Sequence, residues 1–337
     1  MSVTREIVIE HLNALAKPPG SMGHLEELAV KLAVAQQNLH PRTKPRRITL
    51  FAGDHGVVES GVSAWPSAVT TAMMETILAQ KATSTALAMA QSADLRLVDV
   101  GSITPPELHK PSQVFHNARV AAGTANLAFG PAMTVEQFNL AWAVGEAEAA
   151  RAHGEGFVLL LAGEMGIGNT TPAACLTILL AGADADIATG RGAGADEAIL
   201  HCKRDIVAQA AQRAALLLDN DPVAAIADVG GFEIAAMAGY YAQGAKQGST
   251  LLLDGYVTTA AALIAERLAP GPAQSMIAGH LSAEPGHRAA LDHLGLAPLL
   301  EWDMRLGEGT GALTALPMLD SAAALLNHVA KLAEILP

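Results

Sequence analysis

Five short apolar segments of the chain each end in glycine, aspartate or histidine and lead into a segment of helical character. These segments are 48–52, 95–100, 157–162, 251–253 and 275–278. Buried strands that alternate with helices are typical of a mostly parallel sheet with helices on both faces. We therefore predict an α/β protein, and we expect its ligands to bind beyond the carboxyl ends of the strands.

The segment 159–171, which reads LLLAGEMGIGNTT, is the clearest candidate for a ligand site at this edge. An apolar strand runs into a glycine-rich turn, and Pro172 then lies near the start of a helix. Backbone N–H groups at a helix start attract anions, and glycines let the backbone approach them closely. We interpret the turn as a phosphate cradle with the Glu164 carboxylate beside it. The alternative is a strand-to-helix turn that needs glycine for its dihedral angles and binds nothing. The turn is not a Walker A loop, because no lysine follows its last glycine.

Charge and cysteine content exclude several classes of protein. The net charge of −12 argues against a general nucleic-acid-binding protein, and an anionic ligand would need local positive charge. The two cysteines, Cys175 and Cys202, have neither a disulfide framework nor metal-ligand spacing, so we expect free thiols in a reducing cytoplasm. The N-terminal segment carries charge where a signal peptide has its apolar region. The longest uncharged run, 165–183, contains a purely helical part too short to span a bilayer, so we expect no membrane span.

Polar side chains at the ends of other strands are further candidates. Asp54 and His55 follow the first strand directly and form either an acid/base pair or part of a polar rim. His280, Glu284 and His287 suggest a metal site, but Pro285 interrupts the helix that would align them. We predict no metal. We also predict no cofactor, because GRGAG at 190–194 does not follow a strand as a dinucleotide-binding loop does.

A second glycine-rich turn, RLGEGTGA, contains an acid. Glu308 lies between Gly307 and Gly309 at a helix start, where a carboxylate is either a partner of the helix dipole or a base within reach of a substrate. Lys203, in the helix that follows 190–194, is by itself an ordinary solvated lysine. Helical segments at both chain ends, 2–40 and 313–336, flank the strand-rich block, and the basic segment 41–47 reads as a solvated linker between them.

Seven segments together resemble the nicotinate-nucleotide–dimethylbenzimidazole phosphoribosyltransferases, which make the lower-ligand nucleotide of cobalamin. They read KPPGSMGHLE, FAGDHGVVESGVSAWP, GEMGIGNTTPAA, DVGGFEIAAMAG, LDGYVTTAAALIA, GHLSAEPGH and WDMRLGEGTGA. The resemblance implies a Rossmann-like sheet (residues 42–305) and a small helical domain made of residues 1–41 and 306–337. It also implies a homodimer that transfers phosphoribose from nicotinate mononucleotide to a benzimidazole base.

The resemblance also assigns residues. It implies that Glu308 is the general base, that Lys203 binds phosphate, and that Arg305 and Gly307 contact the substrate. The cradle residues it assigns to phosphate and ribose are Glu164, Gly166, Ile167, Gly168, Asn169 and Thr170. The sequence places Trp65 and Met73 where some members carry polar residues near the base, which leaves the preferred base open. Two other functions remain: a dehydrogenase or kinase on the same sheet, and a nucleotide-binding subunit without activity.

Overall fold

The computed structural model describes residues 2–108 and 112–335. Its centre is a single seven-stranded sheet in the order β3-β2-β1-β4-β5-β6-β7, and every pair of neighbours is parallel. The strands are β1 (Arg46–Gly53), β2 (Asp94–Gly101), β3 (Phe115–Asn117), β4 (Leu159–Met165), β5 (Thr250–Leu253), β6 (Met276–His280) and β7 (Pro298–Leu300). The predicted Rossmann-like α/β fold is confirmed.

Fourteen α-helices are present among the described residues. They are α1 (Arg5–Asn13), α2 (His24–Ala35), α3 (Ala68–Leu78), α4 (Thr83–Ala90), α5 (Val135–Gly154), α6 (Thr170–Ala181), α7 (Ala185–Ala188), α8 (Glu197–Leu218), α9 (Pro222–Val229), α10 (Phe232–Lys246), α11 (Tyr256–Leu268), α12 (His287–His293), α13 (Thr310–His328) and α14 (Leu332–Ile335). None of them is both long and apolar enough to cross a membrane.

Alternate side chains of the central strands enter two different cores. In β1, Phe51 belongs to one core, while Leu50 and Ala52 belong to the other. This follows from the two-residue repeat of a strand, whose successive side chains point to opposite faces. One face is covered by α5, α6 and α8 to α12, and the other by α1 to α4 and α13. Both faces are thus buried, and most residues of the central strands are apolar.

The order of the sheet reverses between β1 and β4, because β2 and β3 lie on one side of β1 and the later strands lie on the other. In open parallel sheets this is the place where loops diverge and leave a crevice at the carboxyl ends of the strands. The loop after β1 and the cradle after β4 therefore meet there.

The two chain ends are joined to each other. Ala16 N donates to Ala330 O at 2.8 Å, and Leu332 N donates to Ala14 O at 2.9 Å. Side chains of α1, α2 and α13 share one core with the sheet residues Ile48 and Leu50. The division into residues 1–41 with 306–337 and 42–305 remains a prediction. The last helical segment is not continuous to residue 336 as predicted, since α13 ends at His328.

The basic segment 41–47 is only partly solvated: Arg42 and Lys44 are exposed, but the predicted exposure is wrong for Arg46 and Arg47. Arg46 and Arg47 begin β1 and are buried. Arg46 pairs with Asp320 at 2.8 Å, and Arg47 pairs with Asp94 at 2.5 Å. Charge alone suggested exposure, but acids from distant parts of the chain neutralise both guanidinium groups and allow their burial.

Candidate active site

An open cleft with an empty volume of about 890 Å³ lies at the carboxyl ends of β4, β5 and β6. Its wall is made of residues 62–64, 164–170, 191–193, 254–258 and 305–307, together with His280 at the end of β6 and Ser282 and Glu284 in the loop after it. This is the edge at which the sequence predicted a ligand site. The cradle residues, Arg305 and Gly307 all line the cleft, as the predicted grouping requires.

The glycine-rich turn after β4 packs tightly against the loop after β1. A Cβ atom at Gly166 would overlap the carbonyl oxygen of Gly53, and Gly168 has a φ of +90° with Val58 directly beside it. Only glycine fits both positions. The Ile167 N–H donates to the Thr70 hydroxyl at 3.2 Å, so this amide already has a partner. Asn169 then precedes α6, whose N-terminus faces the cleft.

Glu164 is buried at the floor of the cleft. One carboxylate oxygen accepts a hydrogen bond from the Asn169 amide, and the other lies so close to Gly307 that a Cβ there would overlap it. Burial raises the pKa of Glu164 to about 8, and the neighbouring acids Asp254 and Glu233 add to this effect. The unliganded side chain therefore holds a proton over most of the neutral range.

The second glycine-rich turn has an unusual backbone. Three consecutive residues, Gly307, Glu308 and Gly309, have φ values of +87°, +56° and +72°. Glu308 is strained there, because a side chain is disfavoured in the left-handed region. Its carboxylate accepts a hydrogen bond from the Ser84 hydroxyl of α4 at 2.7 Å. Burial raises the pKa of Glu308, while the Ser84 hydrogen bond opposes the rise.

Glu308 lies just behind the wall of the main cleft. Gly307 lines the cleft, whereas the Glu308 side chain is buried and points towards Ser84. The two carboxyl groups of Glu164 and Glu308 therefore flank Gly307 and interact electrostatically. The sequence did not single out Ser84, because it lies in an ordinary helical segment with no local motif.

Asp254 is a second residue of the site that the sequence did not single out. It follows β5, lines the cleft, and accepts hydrogen bonds through Oδ1 from Gly311 N at 2.7 Å and Ala312 N at 3.0 Å. His280 Nε2 lies 3.7 Å from the same oxygen. Burial raises the pKa of Asp254, and His280 opposes that rise. The sequence LDGY indicated that a strand ends here, but it did not indicate the hydrogen bonds between Asp254 and α13.

Lys203 lies behind the cleft wall. Its Nζ donates to Thr170 Oγ1 at 2.7 Å and to Gly190 O at 3.1 Å, and the side chain is buried. Burial lowers its pKa to about 8, against the opposing effect of Glu284. Glu284 in turn accepts a hydrogen bond from Gly192 N at 2.8 Å. Lys203 thus supports the first residue of α6, and direct contact with phosphate remains a prediction.

The loop 190–194 is hydrogen-bonded across the mouth of the cleft. Arg305 Nη1 donates to Gly192 O at 3.3 Å, and Trp65 Nε1 donates to Ala193 O at 3.1 Å. Arg191 and Arg305 are the arginines of the cleft wall and give local positive charge in an acidic protein. Trp65 is half-exposed at this mouth, whereas Met73 packs against the core beneath α3. A contact of either residue with a base remains a prediction.

Asp54 and His55 lie below the cradle and do not line the cleft. His55 Nε2 is 2.9 Å from Glu233 Oε1, and both side chains are fully buried.

Within residues 2–108 and 112–335, no group of three or more His, Cys, Asp or Glu side chains is arranged to hold a metal ion. His287 binds Ser282 N through Nδ1, and burial lowers its pKa to about 3. It is a structural histidine.

Comparison with known proteins assigns the chain to a family. The family profile described as "Phosphoribosyltransferase" (DBI_PRT) matches residues 2–335. Proteins named nicotinate-nucleotide–dimethylbenzimidazole phosphoribosyltransferase from Thermus thermophilus and Pseudomonas putida are 45% and 44% identical to this chain. The alignments cover 96% and 95% of this chain and 95% and 90% of those proteins.

A solved structure supports the same assignment. The crystal structure of CobT from Thermus thermophilus is 43% identical, superposes with a TM-score of 0.92, and covers 98% of both chains. Sequence and fold agree over nearly the whole length, so the relationship is not limited to a shared nucleotide-binding sheet. The chain belongs to the nicotinate-nucleotide–dimethylbenzimidazole phosphoribosyltransferase family.

Proposed function

We propose that this protein transfers phosphoribose from nicotinate mononucleotide to a benzimidazole base, 5,6-dimethylbenzimidazole or a close analogue. The products are nicotinate and α-ribazole 5′-phosphate, which enters the nucleotide loop of cobalamin. The names of the relatives support this assignment. The observation that carries it is the Glu308 carboxylate, held on a strained left-handed turn next to the glycine-rich cradle.

The donor nucleotide fits the main cleft. Its phosphate is proposed to bind at the N-terminus of α6, where backbone N–H groups and the helix dipole favour an anion. Lys203 supports Thr170 from behind and adds a positive charge there. Arg191 and Arg305 line the other side of the cleft and offset the acidic floor.

The acceptor base is proposed to bind near Gly307, between the cleft and α4. Apolar side chains of the neighbouring cleft wall, including Met165, Ile167 and Leu306, suit a flat aromatic ring. The Glu308 carboxylate would then meet a ring nitrogen at the buried end of this slot. Ser84 holds the same carboxylate in place.

The chemistry matches these groups. The leaving nicotinate ring is a cation until its bond to ribose breaks, so it needs no general acid. A single displacement inverts the anomeric centre through an oxocarbenium-like transition state, as in inverting glycoside hydrolysis. The incoming base must lose a proton from its other nitrogen, and Glu308 is proposed to accept it.

The direct test combines the protein with nicotinate mononucleotide and a panel of bases, namely 5,6-dimethylbenzimidazole, benzimidazole, adenine and a phenol. Nicotinate release and α-ribazole phosphate formation are followed by chromatography. We expect release only when a base is present, with a benzimidazole as the preferred acceptor. Binding of nicotinate mononucleotide without turnover on any base would contradict the proposal and favour a nucleotide-binding subunit.

We also propose that the protein is a homodimer. Large apolar side chains are exposed on the single chain, among them Phe129 at 86% and Leu216 at 79% exposure. Arg213 of α8 donates hydrogen bonds to the carbonyl oxygens of Leu127 and Gly130. These bonds bring the loop that contains Phe129 to the C-terminal half of α8, which contains Leu216. Light scattering at micromolar concentration should give twice the mass of one chain.

A cytoplasmic location remains a prediction, with which the free thiols of Cys175 and Cys202 are compatible.

A further inference from the structure

We propose that Asp254 is a positioning residue for Glu308, which it holds in place by capping helix α13. This inference rests on the proposed role of Glu308 as the base. Asp254 follows the central strand β5, and its Oδ1 accepts hydrogen bonds from Gly311 N and Ala312 N, in the first turn of α13. Glu308 lies two residues before this helix begins. The aspartate thus connects the sheet to the turn that presents the base.

The capping arrangement of α13 differs from that of α8 and α9. Helices α8 and α9 are capped by the side chains of Asp196 and Asp221, each the residue just before its own helix. The corresponding residue of α13 is Gly309, which has no side chain. The first N–H groups of a helix need acceptors, and a carboxylate at that end also interacts favourably with the helix dipole. Asp254, which directly follows β5, supplies both the hydrogen-bond acceptor and the carboxylate at this helix end.

The backbone at Glu308 depends on this anchor, because it is constrained from two sides. Below the turn, a Cβ at Gly309 would overlap Ile48, and one at Gly163 would lie 2.6 Å from Gly309 N. Glycine at both positions lets the turn sit directly on β1 and β4. Above the turn, Asp254 fixes the first residues of α13. A strained left-handed residue persists only when its surroundings hold it there.

The side chain of Glu308 has its own support from Ser84, but that bond fixes only the carboxylate tip. If the first turn of α13 moved, the backbone of Glu308 would relax and its carboxylate would leave the base slot. A displacement of about 1 Å in a reacting group lowers rates by about 100-fold. The role of Asp254 is to accept hydrogen bonds, and an asparagine oxygen accepts them as well.

Asp254 also lines the cleft, so a direct contact with the donor nucleotide is the competing explanation. The two explanations differ in a double-mutant cycle. An effect that passes through Glu308 disappears when Glu308 is already disabled, whereas a direct substrate contact keeps its effect.

The experiment measures kcat and both Michaelis constants for wild type, Asp254→Ala, Asp254→Asn, Glu308→Gln and the double variant Asp254→Ala/Glu308→Gln. We expect Asp254→Ala to lower kcat about 10- to 100-fold. Asp254→Asn should stay within about threefold of wild type. In the Glu308→Gln background, Asp254→Ala should change kcat by less than about threefold, because coupled residues are not additive.

Asp221→Ala is the matched control. It removes a helix-capping aspartate whose Oδ1 accepts from Ala224 N at 2.9 Å in α9, which does not line the cleft. We expect it to lower the melting temperature by a few degrees, as cap removal does, with unchanged kinetic constants. If Asp254→Ala does not fold, Asp254→Glu, which displaces the acceptor, replaces it in the cycle.

Three results would overturn the inference. Full additivity in the double variant would assign Asp254 to substrate contact. Unchanged kinetics in Asp254→Ala would leave it only a helix cap, and loss of activity in Asp254→Asn as severe as in Asp254→Ala would show that its charge is what matters. Failure of the proposed function is distinct, since it appears as no turnover by wild type or no effect of Glu308→Gln alone.

Discussion

Ser84 and Glu308, 224 residues apart in the chain, are joined by a hydrogen bond of 2.7 Å between the serine hydroxyl and the glutamate Oε2. This bond favours the ionised carboxylate, and burial favours the protonated one. Burial has the larger effect, so the pKa of Glu308 is raised. A base whose pKa lies closer to neutral pH is better matched to its task than an ordinary glutamate.

Glu308→Gln keeps the shape of the side chain and removes its basicity. We expect turnover with 5,6-dimethylbenzimidazole to fall by ~10²–10⁴, the usual contribution of a general base, while nicotinate mononucleotide still binds. Kinetics and calorimetry measure the two effects. Glu301→Gln, an exposed change on the preceding segment, serves as the control and should have no effect. Wild-type constants in Glu308→Gln would make Glu308 a turn residue only and direct the search for the base to Glu164, Asp54 and His55.

Lys203→Ala should raise the Michaelis constant for nicotinate mononucleotide about 10- to 100-fold, because a charge-assisted hydrogen bond contributes ~1.5–3 kcal/mol. The constant for the base should change little. The pKa of Lys203 is lowered to about 8, so wild-type kcat/KM should fall as the pH rises through that value. Lys203→Arg, which stays charged, should remove this fall. Lys81→Ala, at an exposed position, is the control; equal effects of Lys203→Ala on both substrates would contradict phosphate binding.

The protonated Glu164 predicts a pH dependence of stability. Its pKa is about 8 in the folded protein against an ordinary value of 4.5, so the folded state holds a proton that the unfolded state releases. The stabilisation is fully present below the unfolded pKa and is lost as the pH rises through about 8. Glu164→Gln cannot ionise. Urea unfolding from about pH 5 to about pH 8 should show wild type losing free energy of unfolding relative to the variant. Parallel curves for the two proteins would contradict the raised pKa.

Gly307→Ala tests the contact between the two glycine-rich turns. Gly307 has a φ of +87°, and a Cβ there would overlap the Glu164 carboxylate. Gly248 is the matched control, because it has a similar φ of +78°. No atom lies within 4 Å of the position that a Cβ would take there. We expect Gly248→Ala to cost about 1 kcal/mol of stability with full activity. Gly307→Ala should cost more and also abolish most turnover; similar losses in both would show that the contact with Glu164 is unimportant.

The fold was largely predictable because most residues of the buried central strands are apolar. All five predicted strands are present, and their loops meet at one edge as a parallel sheet requires. The edge strands β3 and β7 were missed. Each has three residues, with sequences FHN and PLL, which is too short for a strand repeat to be recognised. These segments are strands because they pair with β2 and β6, and a local sequence pattern does not indicate such pairing.

The glycine-rich turns of the candidate site could be recognised in the sequence, but the residues that hydrogen-bond to them from distant segments could not. The glycine-rich turn after the third predicted strand was expected at the carboxyl edge of the sheet, and it lines the cleft there, whereas the Glu308 turn was recognised only as a glycine-rich helix start. The partners Ser84 and Asp254 act on Glu308 and α13 from distant segments. Such contacts depend on tertiary distance, and the sequence pattern around each residue is that of an ordinary helix or strand end.

The joined chain ends have a consequence for how the protein is made. The bonds of Ala14 and Ala16 reach residues 330–332, so the first helices meet these partners only after all seven strands of the sheet have been synthesised. Helix α13 and Glu308 also emerge late, after every strand of the sheet. The same late segment therefore pairs with the first helices and brings Glu308 to the cleft. A nascent chain that stops short of residue 305 contains most residues of the cleft wall and still lacks Glu308.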